Sequence, residues 1–424
     1  MFIGYRLPGS CFMLLKDFVC FVNHRKRTAL DLCVIACSLV CMCRKNNVFI
    51  LFQIGLAFLM PWKLEANVLI NTPWEGSSFG IAVAIAALAA QAQDLGVPQS
   101  WKDKDNHHSL DERKSISQKG IDRMLRELDR NTGEFRGIDF WQSGNVYTAM
   151  VHQDVYAGNH KNKDTVVEML KKVFKNHKNY DKYQTKNSLV MLSTLGKLYR
   201  HMNRHPHKIT IKGKCADKSM EGAVFWRPGE PDNSVNSITT GDAAIRSAKW
   251  IQRLNMKDNI VLDSFDASNC HRANPGWIFT YNSGKYMEGL SVLKDVTGDG
   301  AWGKLLVEIA AATMKGKHWQ GDNGIIKEGS SPDKNDSGVG FKAVFIRGLT
   351  EVHERTKKSN RDLQILIHSY VCVQYNAILA LAKNHNNEYP SSWAADPKTY
   401  KHKYTSWGQL AALDTLVGAI PTTT

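Results

Sequence analysis

The chain has 424 residues, of which 43% are hydrophobic and 22% charged, the balance of a soluble globular protein with a sizeable core. Its net charge of +15 favours an anionic partner such as nucleic acid or an acidic glycan. Basic and aromatic residues do not interleave and zinc-finger spacings do not occur, which argues against a nucleic-acid reader and leaves a basic soluble surface as the expectation.

The first 92 residues form an apolar front. It opens with three apolar runs, each interrupted or shorter than the ~18–20 residues that span a bilayer. These runs are 11–22, 29–43 and 48–61. A fourth run ends in Ala90-Gln91-Ala92, which fits a signal-peptidase site with a mature chain beginning near Gln93. Either translation starts later, for instance at Met60, or the front is a membrane-associated extension; both place residues 93–424 outside the cytosol.

The cysteines divide into two groups. Six of the nine lie before residue 44 in apolar sequence, and no histidine or carboxylate joins them in a metal-like cluster, so no metal site is expected there. The remainder of the chain holds Cys215, Cys270 and Cys372. In an oxidising compartment Cys215 and Cys270 could pair, which would leave Cys372 as a buried thiol.

The body of the chain is predicted to be helical from its apolar periodicity. The predicted helices cover 109–129, 141–156, 165–176, a segment from about 188, 243–254, 282–296, 301–314, 340–356, 361–382 and 405–420. A turn is expected at Asn131-Thr132-Gly133, and strand patterns are short and few. Helix follows helix without a βαβ alternation, so we expect an all-α fold built from helical hairpins.

One loop-to-helix junction stands out. The polar loop 179–188 leads into a helix whose apolar residues recur at helical spacing up to residue 200. In an all-helical enzyme such a junction faces the cleft, so the side chains of Asn187 and Ser188 are expected to point into it.

Six stretches, taken together and in order, resemble the secreted fungal members of glycoside hydrolase family 76. They are FWQSGNVY (140–147), VFWRP (224–228), NSITTG (236–241), TYNSG (280–284), GFK (340–342) with FIRG (345–348), and TSWGQ (405–409). The resemblance implies an (α/α)6 barrel with a central groove and endo-α-1,6-mannanase activity on mannan. It also implies retention of configuration by two adjacent aspartates at the start of an inner helix, with no metal and no cofactor.

The residue types in these stretches suit a sugar site. Aromatic faces bind the C–H surfaces of sugars, and amide, hydroxyl and guanidinium groups bind their hydroxyls. The substrate-binding candidates are Trp141, Gln142, Asn145, Trp226, Arg227, Asn236, Tyr281 and Asn282. Trp277 carries the same chemistry, although a role as a core anchor is the alternative for each of the aromatic residues. The expected partner is mannan or a related polysaccharide.

The catalytic positions depart from the family. Retaining glycoside hydrolysis needs one carboxylate as nucleophile and one carboxyl group as acid/base. The family register places Asn187 and Ser188 where the two aspartates belong. An amide cannot act as a carboxylate nucleophile, and a serine hydroxyl does not transfer a proton near neutral pH without a base. The chain is also shorter after Gly241 than the family pattern by roughly one helix, so a barrel lacking one helix is expected.

Three hypotheses follow from this departure. The chain is a catalytically impaired mannanase-like protein whose groove still binds mannan. Alternatively, it is an active hydrolase with relocated acids, or one whose catalytic helix is mis-assembled in this sequence. The candidates for a relocated acid are Asp181, Asp232, Asp263 and Asp266, each with a solvated or structural role as the simpler interpretation. The third hypothesis is a wall-associated or membrane-anchored binding protein that uses residues 1–92 as its anchor.

Overall fold

A computed structural model describes residues 93–177, 214–215, 218–220, 245–267, 269–271, 277–329, 336–394 and 404–423, together with the backbone of the strands in 3–6, 11–22, 32–45, 48–61 and 234–236. The chain divides into two compact units, Met1–Ala90 and Gln91–Thr424.

The first unit contains a four-stranded antiparallel sheet in the order β1-β2-β3-β4. Its strands are β1 (Ile3–Arg6), β2 (Cys11–Val22), β3 (Leu32–Lys45) and β4 (Val48–Pro61). The three apolar runs of the front therefore form the three long strands, a sheet that the sequence pattern does not predict. The signal-like segment that ends at Ala92 lies outside the described residues.

The second unit is helical. Its described helices are α1 (Leu110–Met124), α2 (Phe140–Ala157), α3 (Lys163–Asn176), α4 (Ile245–Leu254), α5 (Thr280–Thr297), α6 (Gly300–Lys315), α7 (Ser337–Thr356), α8 (Arg361–Ala377) and α9 (Ser406–Thr422). One π-helical turn, Ile378–Ala382, continues α8. The strands of this unit are two or three residues long: β5 (Leu128–Asp129), β6 (Glu134–Phe135), β7 (Lys214–Cys215), β8 (Lys218–Ser219), β9 (Ser234–Asn236), β10 (Met256–Lys257), β11 (Ile260–Val261) and β12 (Ser264–Asp266). The expectation of an all-α body without a large sheet is confirmed.

Local sequence signals set where several helices begin and end. Ser109 and Glu112 form a capping box, in which the Glu112 side chain accepts from the Ser109 amide at 2.7 Å and the Ser109 hydroxyl accepts from the Glu112 amide at 3.3 Å. Gly133 has a φ of 78° in the predicted turn. The helix predicted to end at Asp129 ends earlier, at Met124, because Leu128 and Asp129 pair with Glu134 and Phe135 across that turn.

The helices lie in two layers. Short turns join α5 to α6 and α7 to α8, whereas the longer segment 316–336 separates α6 from α7. Every residue of α9 is buried, and α2, α5 and α7 are buried on most of their faces, whereas α3 and α4 bury a single stripe. A helix that is buried all round belongs to the interior. All-round burial places α9 in the interior; α2 and α7 pack directly against α9, and α5 packs against α7, so these four helices form the inner layer.

The inner helices α5 and α7 pack with their backbones almost in contact. A Cβ on Gly284 would lie 2.5 Å from the Cα of Phe345, and one on Gly348 would collide with the carbonyl group of Gly284. Any side chain at either position would therefore force the two helices apart. Both glycines belong to the stretches on which the family resemblance rests.

Ionisable side chains from all four inner helices lie close enough to influence one another. Arg347 of α7 lies 3.5 Å from the Asp414 carboxylate of α9, and Lys285 lies 3.0 Å from Glu288 on α5. Burial raises the pKa of Asp414 to about 6. Burial, with the nearby Arg347, lowers the pKa of His152 on α2 to about 4. These couplings place α2, α5, α7 and α9 around a common centre, the arrangement expected of an (α/α) barrel.

A disulfide joins Cys215 of β7 to Cys270, the pair that the sequence left open. Cys372 is a buried free thiol among the described residues, and burial raises its pKa to about 12. In the same part of the chain one helical stretch, Arg361–Ala382, has the length and apolarity of a membrane span. The most apolar window of this stretch is 72% buried inside the protein, as in a core helix.

Candidate functional site

The first turn of α5 holds a buried carboxylate in a fixed position. The Tyr281 hydroxyl donates to Oδ1 of Asp263 at 2.5 Å, and Nδ2 of Asn282 donates to the same oxygen at 2.9 Å. Asp263 is 5% exposed and lies directly before β12. Two donors to one oxygen fix the orientation of the Asp263 side chain. Of the two simpler interpretations that the sequence offered for Asp263, solvated or structural, the burial and the two hydrogen bonds fit the structural one.

The backbone brings Asn236 to the same place. Strand β9 pairs antiparallel with β12, and Asn236 is opposite Ser264, the residue after Asp263. Two predicted substrate-binding residues, Tyr281 and Asn282, thus lie beside Asp263, and the backbone of a third runs alongside it.

A second carboxylate caps the start of α5. Glu328, in the loop before α7, accepts from the Thr280 amide at 2.9 Å and also from the Thr280 hydroxyl. Burial raises the pKa of Glu328 to about 7, although both hydrogen bonds from Thr280 act in the opposite direction. Glu328 fixes the helix start that carries Tyr281 and Asn282.

Lys342 connects this loop to the next one. The Lys342 side chain is fully buried, and its ammonium group donates to the carbonyl of Glu328 at 3.0 Å and to the carbonyl of Ser391. It lies 4.5 Å from the centre of the Trp393 ring. Burial lowers the pKa of Lys342 to about 7, against the opposing effect of Glu328. One lysine therefore joins the 319–329 loop, helix α7 and the 384–394 loop.

Aromatic rings cover the same helix starts. Tyr281 and Phe341 are stacked with their centres 4.2 Å apart and an interplanar angle of 14°. Phe279 lies 5.1 Å from Phe341 and 6.1 Å from Tyr281. Trp277 follows at 5.9 Å from Phe279. The four rings form a continuous series that begins at the Tyr281–Asp263 hydrogen bond.

The start of α2 presents amide groups that have no partner among the described residues. In that part of the chain, both amide atoms of Gln142 and the Oδ1 of Asn145 are buried without a hydrogen bond, and the same is true of Oδ1 of Asn282 on α5. Nδ2 of Asn145 donates to the carbonyl of Trp141 at 3.3 Å. Buried amides in this state are uncommon in folded proteins and point to a ligand or an ordered water. Trp141 is half-buried.

Several predicted site residues lie outside the described part of the chain. They are Asn187, Ser188, Trp226 and Arg227. Within the described residues, no group of three or more histidine, cysteine, aspartate or glutamate side chains is arranged to hold a metal ion.

The sequence alone assigns no site role to Glu328, Phe279, Phe341 or Lys342, although the last two belong to the GFK stretch at 340–342. A signal for Lys342 was present, because a lysine in the otherwise apolar start of an interior helix needs a buried acceptor. Glu328 gave no comparable signal. It is one of several charged residues in a polar loop, and only the fold places it beside Thr280.

Comparisons with known proteins bear on the fold that carries these residues. Residues 236–423 match the model of glycosyl hydrolase family 76. Among solved structures, the barrel is similar to an inactive variant of the α-1,6-mannanase GH76A of Salegentibacter sp. HEL1_6 in complex with α-1,6-mannotriose. That match has 13% identity and a TM-score of 0.57, and it covers 73% of this chain and 99% of the mannanase.

Two further structures extend the comparison. Dfg5 from Chaetomium thermophilum, in complex with glucosamine, matches with 13% identity and a TM-score of 0.58 over 76% of this chain and 92% of that protein. A family 76 glycoside hydrolase from a bovine Bacteroides thetaiotaomicron strain matches with 12% identity and a TM-score of 0.54, with 98% of each chain covered. No curated protein sequence matches the chain. At these identities the structural matches establish the barrel fold.

Proposed function

We propose that this chain, which is similar to glycosyl hydrolase family 76 in the sequence of residues 236–423 and in fold, acts on α-1,6-linked mannan. The observation that carries the proposal is the cluster at the start of α5, within the matched segment. There Tyr281 and Asn282 orient Asp263 beside a series of aromatic rings. A structurally similar barrel is known in complex with α-1,6-mannotriose.

The site has the two kinds of contact that a polysaccharide needs. Stacked and tilted rings offer apolar faces to the C–H surfaces of pyranose units. Unpartnered amide oxygens on Asn145 and Asn282 can accept hydrogen bonds from sugar hydroxyls, and Asp263 has further acceptor capacity. We expect mannose units to lie across the starts of α2 and α5.

We propose further that hydrolysis by this chain is slow. The retaining mechanism needs two carboxyl groups about 5–5.5 Å apart, one to attack the anomeric carbon and one to protonate the leaving oxygen. Asn187 and Ser188 occupy the positions of that pair in the family register. Asp263 is already committed to Tyr281 and Asn282, and Glu328 to Thr280. Each serves better as a positioning group than as a replacement nucleophile.

The test compares the unchanged chain with the double variant Asn187→Asp/Ser188→Asp. Both proteins are titrated calorimetrically with α-1,6-mannohexaose and then assayed for new reducing ends on α-1,6-mannan, with β-1,4-mannan as the control substrate. We expect both to bind the hexaose. We expect the double variant to release reducing ends faster by about 10²–10⁴-fold, the usual contribution of a positioned acid/base group.

The two parts of the proposal fail separately. If neither protein binds α-1,6-mannohexaose, the substrate assignment is wrong. If the unchanged chain cleaves α-1,6-mannan as fast as the double variant, the assignment of slow hydrolysis is wrong. In that case Asp263→Asn is the next variant, because Asp263 is an oriented carboxylate in the site.

We also propose that the barrel works outside the cytosol. The Cys215–Cys270 disulfide supports this, because such bonds persist in oxidising compartments. The small-x-small sequence that ends at Ala92 supports export with cleavage before Gln93. N-terminal sequencing of the protein recovered from its native source should give a start near Gln93; a start within residues 1–61 would favour a retained front instead.

A further inference from the structure

Trp277 differs in exposure from most tryptophans of the described chain. Its side chain is 47% exposed, whereas Trp101, Trp250, Trp302, Trp319, Trp393 and Trp407 are each 6% exposed or less. A tryptophan has a large apolar surface, so this exposure leaves roughly 100 Å² of indole in water. Such an area is about that of one sugar ring. It is far below the ~800 Å² per partner that a stable protein interface buries.

The position of Trp277 links it to the candidate site. Its ring centre is 5.9 Å from that of Phe279, which lies 5.1 Å from Phe341, and Phe341 stacks on Tyr281 at 4.2 Å. The Tyr281 hydroxyl donates to Asp263. The series therefore runs from a buried carboxylate at one end to an exposed indole at the other, with neighbouring ring centres 4.2 to 5.9 Å apart.

The chemistry of the series changes along its length. At Tyr281 and Asn282 a sugar would meet polar groups that fix its orientation. At Trp277 it would meet an apolar face, and stacking on such a face does not depend on the pattern of hydroxyl groups. An outer position of this kind adds affinity for a chain that extends beyond the units held at α5.

We propose that Trp277 is an outer subsite that stacks on a mannose unit of an α-1,6-linked chain, beyond the units bound at Tyr281 and Asn282. This inference rests on the proposed function, since it names a further contact for the same polysaccharide. If Trp277 is such a subsite, it determines how much the affinity increases with the length of the ligand.

The experiment measures binding of α-1,6-mannobiose and α-1,6-mannohexaose to three proteins by calorimetry. These are the unchanged chain, Trp277→Ala and Phe174→Ala. Phe174, on α3, is the matched control because its side chain is an aromatic ring that is 44% exposed and lies outside the series. Trp277→Ala should weaken hexaose binding by about 5- to 10-fold, the factor that one aromatic stacking contact supplies. Its effect on mannobiose should be under about 2-fold, and Phe174→Ala should change neither affinity.

A direct readout complements the affinities. In protein labelled with 5-fluorotryptophan, the ¹⁹F resonance that disappears in Trp277→Phe should shift on addition of the hexaose and stay in place with mannobiose. Trp277→Phe should recover most of the hexaose affinity, because it retains an aromatic face.

Three results would overturn the subsite. Equal weakening for both ligands would indicate a general effect on the site, and an unchanged hexaose affinity would show that Trp277 makes no contact. If the unchanged chain binds neither sugar, the proposed function fails and the subsite fails with it. Binding by the unchanged chain with no effect of Trp277→Ala removes the subsite alone.

Discussion

The start of α2 and the starts of α5 and α7 differ in how their buried polar groups are used. At α5 and α7, Thr280 donates to Glu328, Tyr281 donates to Asp263, and Lys342 donates to two backbone carbonyls. At α2, both amide atoms of Gln142 are buried without a hydrogen bond. The α5 and α7 side is held mainly by its own side chains, with Oδ1 of Asn282 as a buried atom without a partner, whereas both amide atoms of Gln142 at α2 are without a partner in the described protein.

The difference separates buried polar groups that stabilise the site from buried polar groups that are available to bind a ligand. Removing one partner of a buried hydrogen bond costs the desolvation of the group left behind, about 1–3 kcal/mol. Replacing a buried group that has no partner carries no such cost. Substitutions on the two sides should therefore have opposite signatures: loss of stability at α5 and α7, and loss of binding at α2.

The largest expected effect is that of Lys342→Met. Methionine has a similar volume, but it leaves the carbonyls of Glu328 and Ser391 without their donor and removes the cation from the face of Trp393. We expect the free energy of unfolding to fall by about 3 kcal/mol. Urea unfolding measures it at pH 6, where Lys342, with a pKa of about 7, carries its proton.

Lys304→Met is the control for Lys342. The Lys304 side chain is 72% exposed and lies 3.9 Å from Glu308, a surface ion pair of little energetic value. Its replacement should change the unfolding free energy by less than about 0.5 kcal/mol. Equal losses of unfolding free energy in Lys342→Met and Lys304→Met would show that the hydrogen bonds from Lys342 to Glu328 and Ser391 do not stabilise the two loops.

Tyr281→Phe should have a smaller effect. It removes one hydroxyl that donates to the Asp263 carboxylate at 2.5 Å, and Asn282 remains as the second donor to that oxygen. A hydrogen bond to a charged group contributes about 1.5–3 kcal/mol, so we expect a loss within that range. The comparison is Tyr375→Phe, because the Tyr375 ring is fully buried and its hydroxyl has no partner.

Thermal and urea unfolding of the two tyrosine variants test the comparison directly. Tyr375→Phe should be neutral to within about 0.5 kcal/mol. If both variants lose the same stability, the hydroxyl–carboxylate bond contributes nothing beyond the packing of the ring.

The fold was predictable from the sequence where the signal is local. Apolar periodicity predicted helices that match α2, α5, α7 and α9 to within a few residues, because an interior helix keeps its pattern whatever it packs against. The four-stranded sheet of residues 3–61 was missed. Its strands are continuous apolar runs without alternation, and such runs do not distinguish a strand from a buried helix or a membrane segment.

The site was predictable only in part, because its partners are distant in sequence. Tyr281 and Asn282 were found through their local motif. Their acceptor Asp263 is 18 residues from Tyr281, Glu328 is 48 residues from Thr280, and Ser391 is 49 residues from Lys342. No sequence spacing connects such pairs. The sequence therefore identifies the donor residues, whereas only the fold identifies their acceptors.

Gln142→Met is the smallest expected change in stability and the sharpest test of the α2 side. The Gln142 amide makes no hydrogen bond, so an apolar side chain of similar volume should leave the unfolding free energy within about 0.5 kcal/mol of the original, or raise it. If the amide serves the ligand, affinity for α-1,6-mannohexaose should fall about 10-fold at the same time, the value of one hydrogen bond.

The matched variant is Gln118→Met, because Gln118 is also a buried glutamine but is fully engaged. Its Nε2 donates to Asp122 at 2.8 Å and to Asn162 at 3.1 Å, and its Oε1 accepts from Asn162 at 3.1 Å. This variant should lose about 1–3 kcal/mol of stability while its mannan affinity is retained. If Gln142→Met is destabilised as much as Gln118→Met, the amide of Gln142 is satisfied within the folded chain. The contrast between the two sides of the site would then be wrong, because α2 would be held by its own hydrogen bonds just as α5 is.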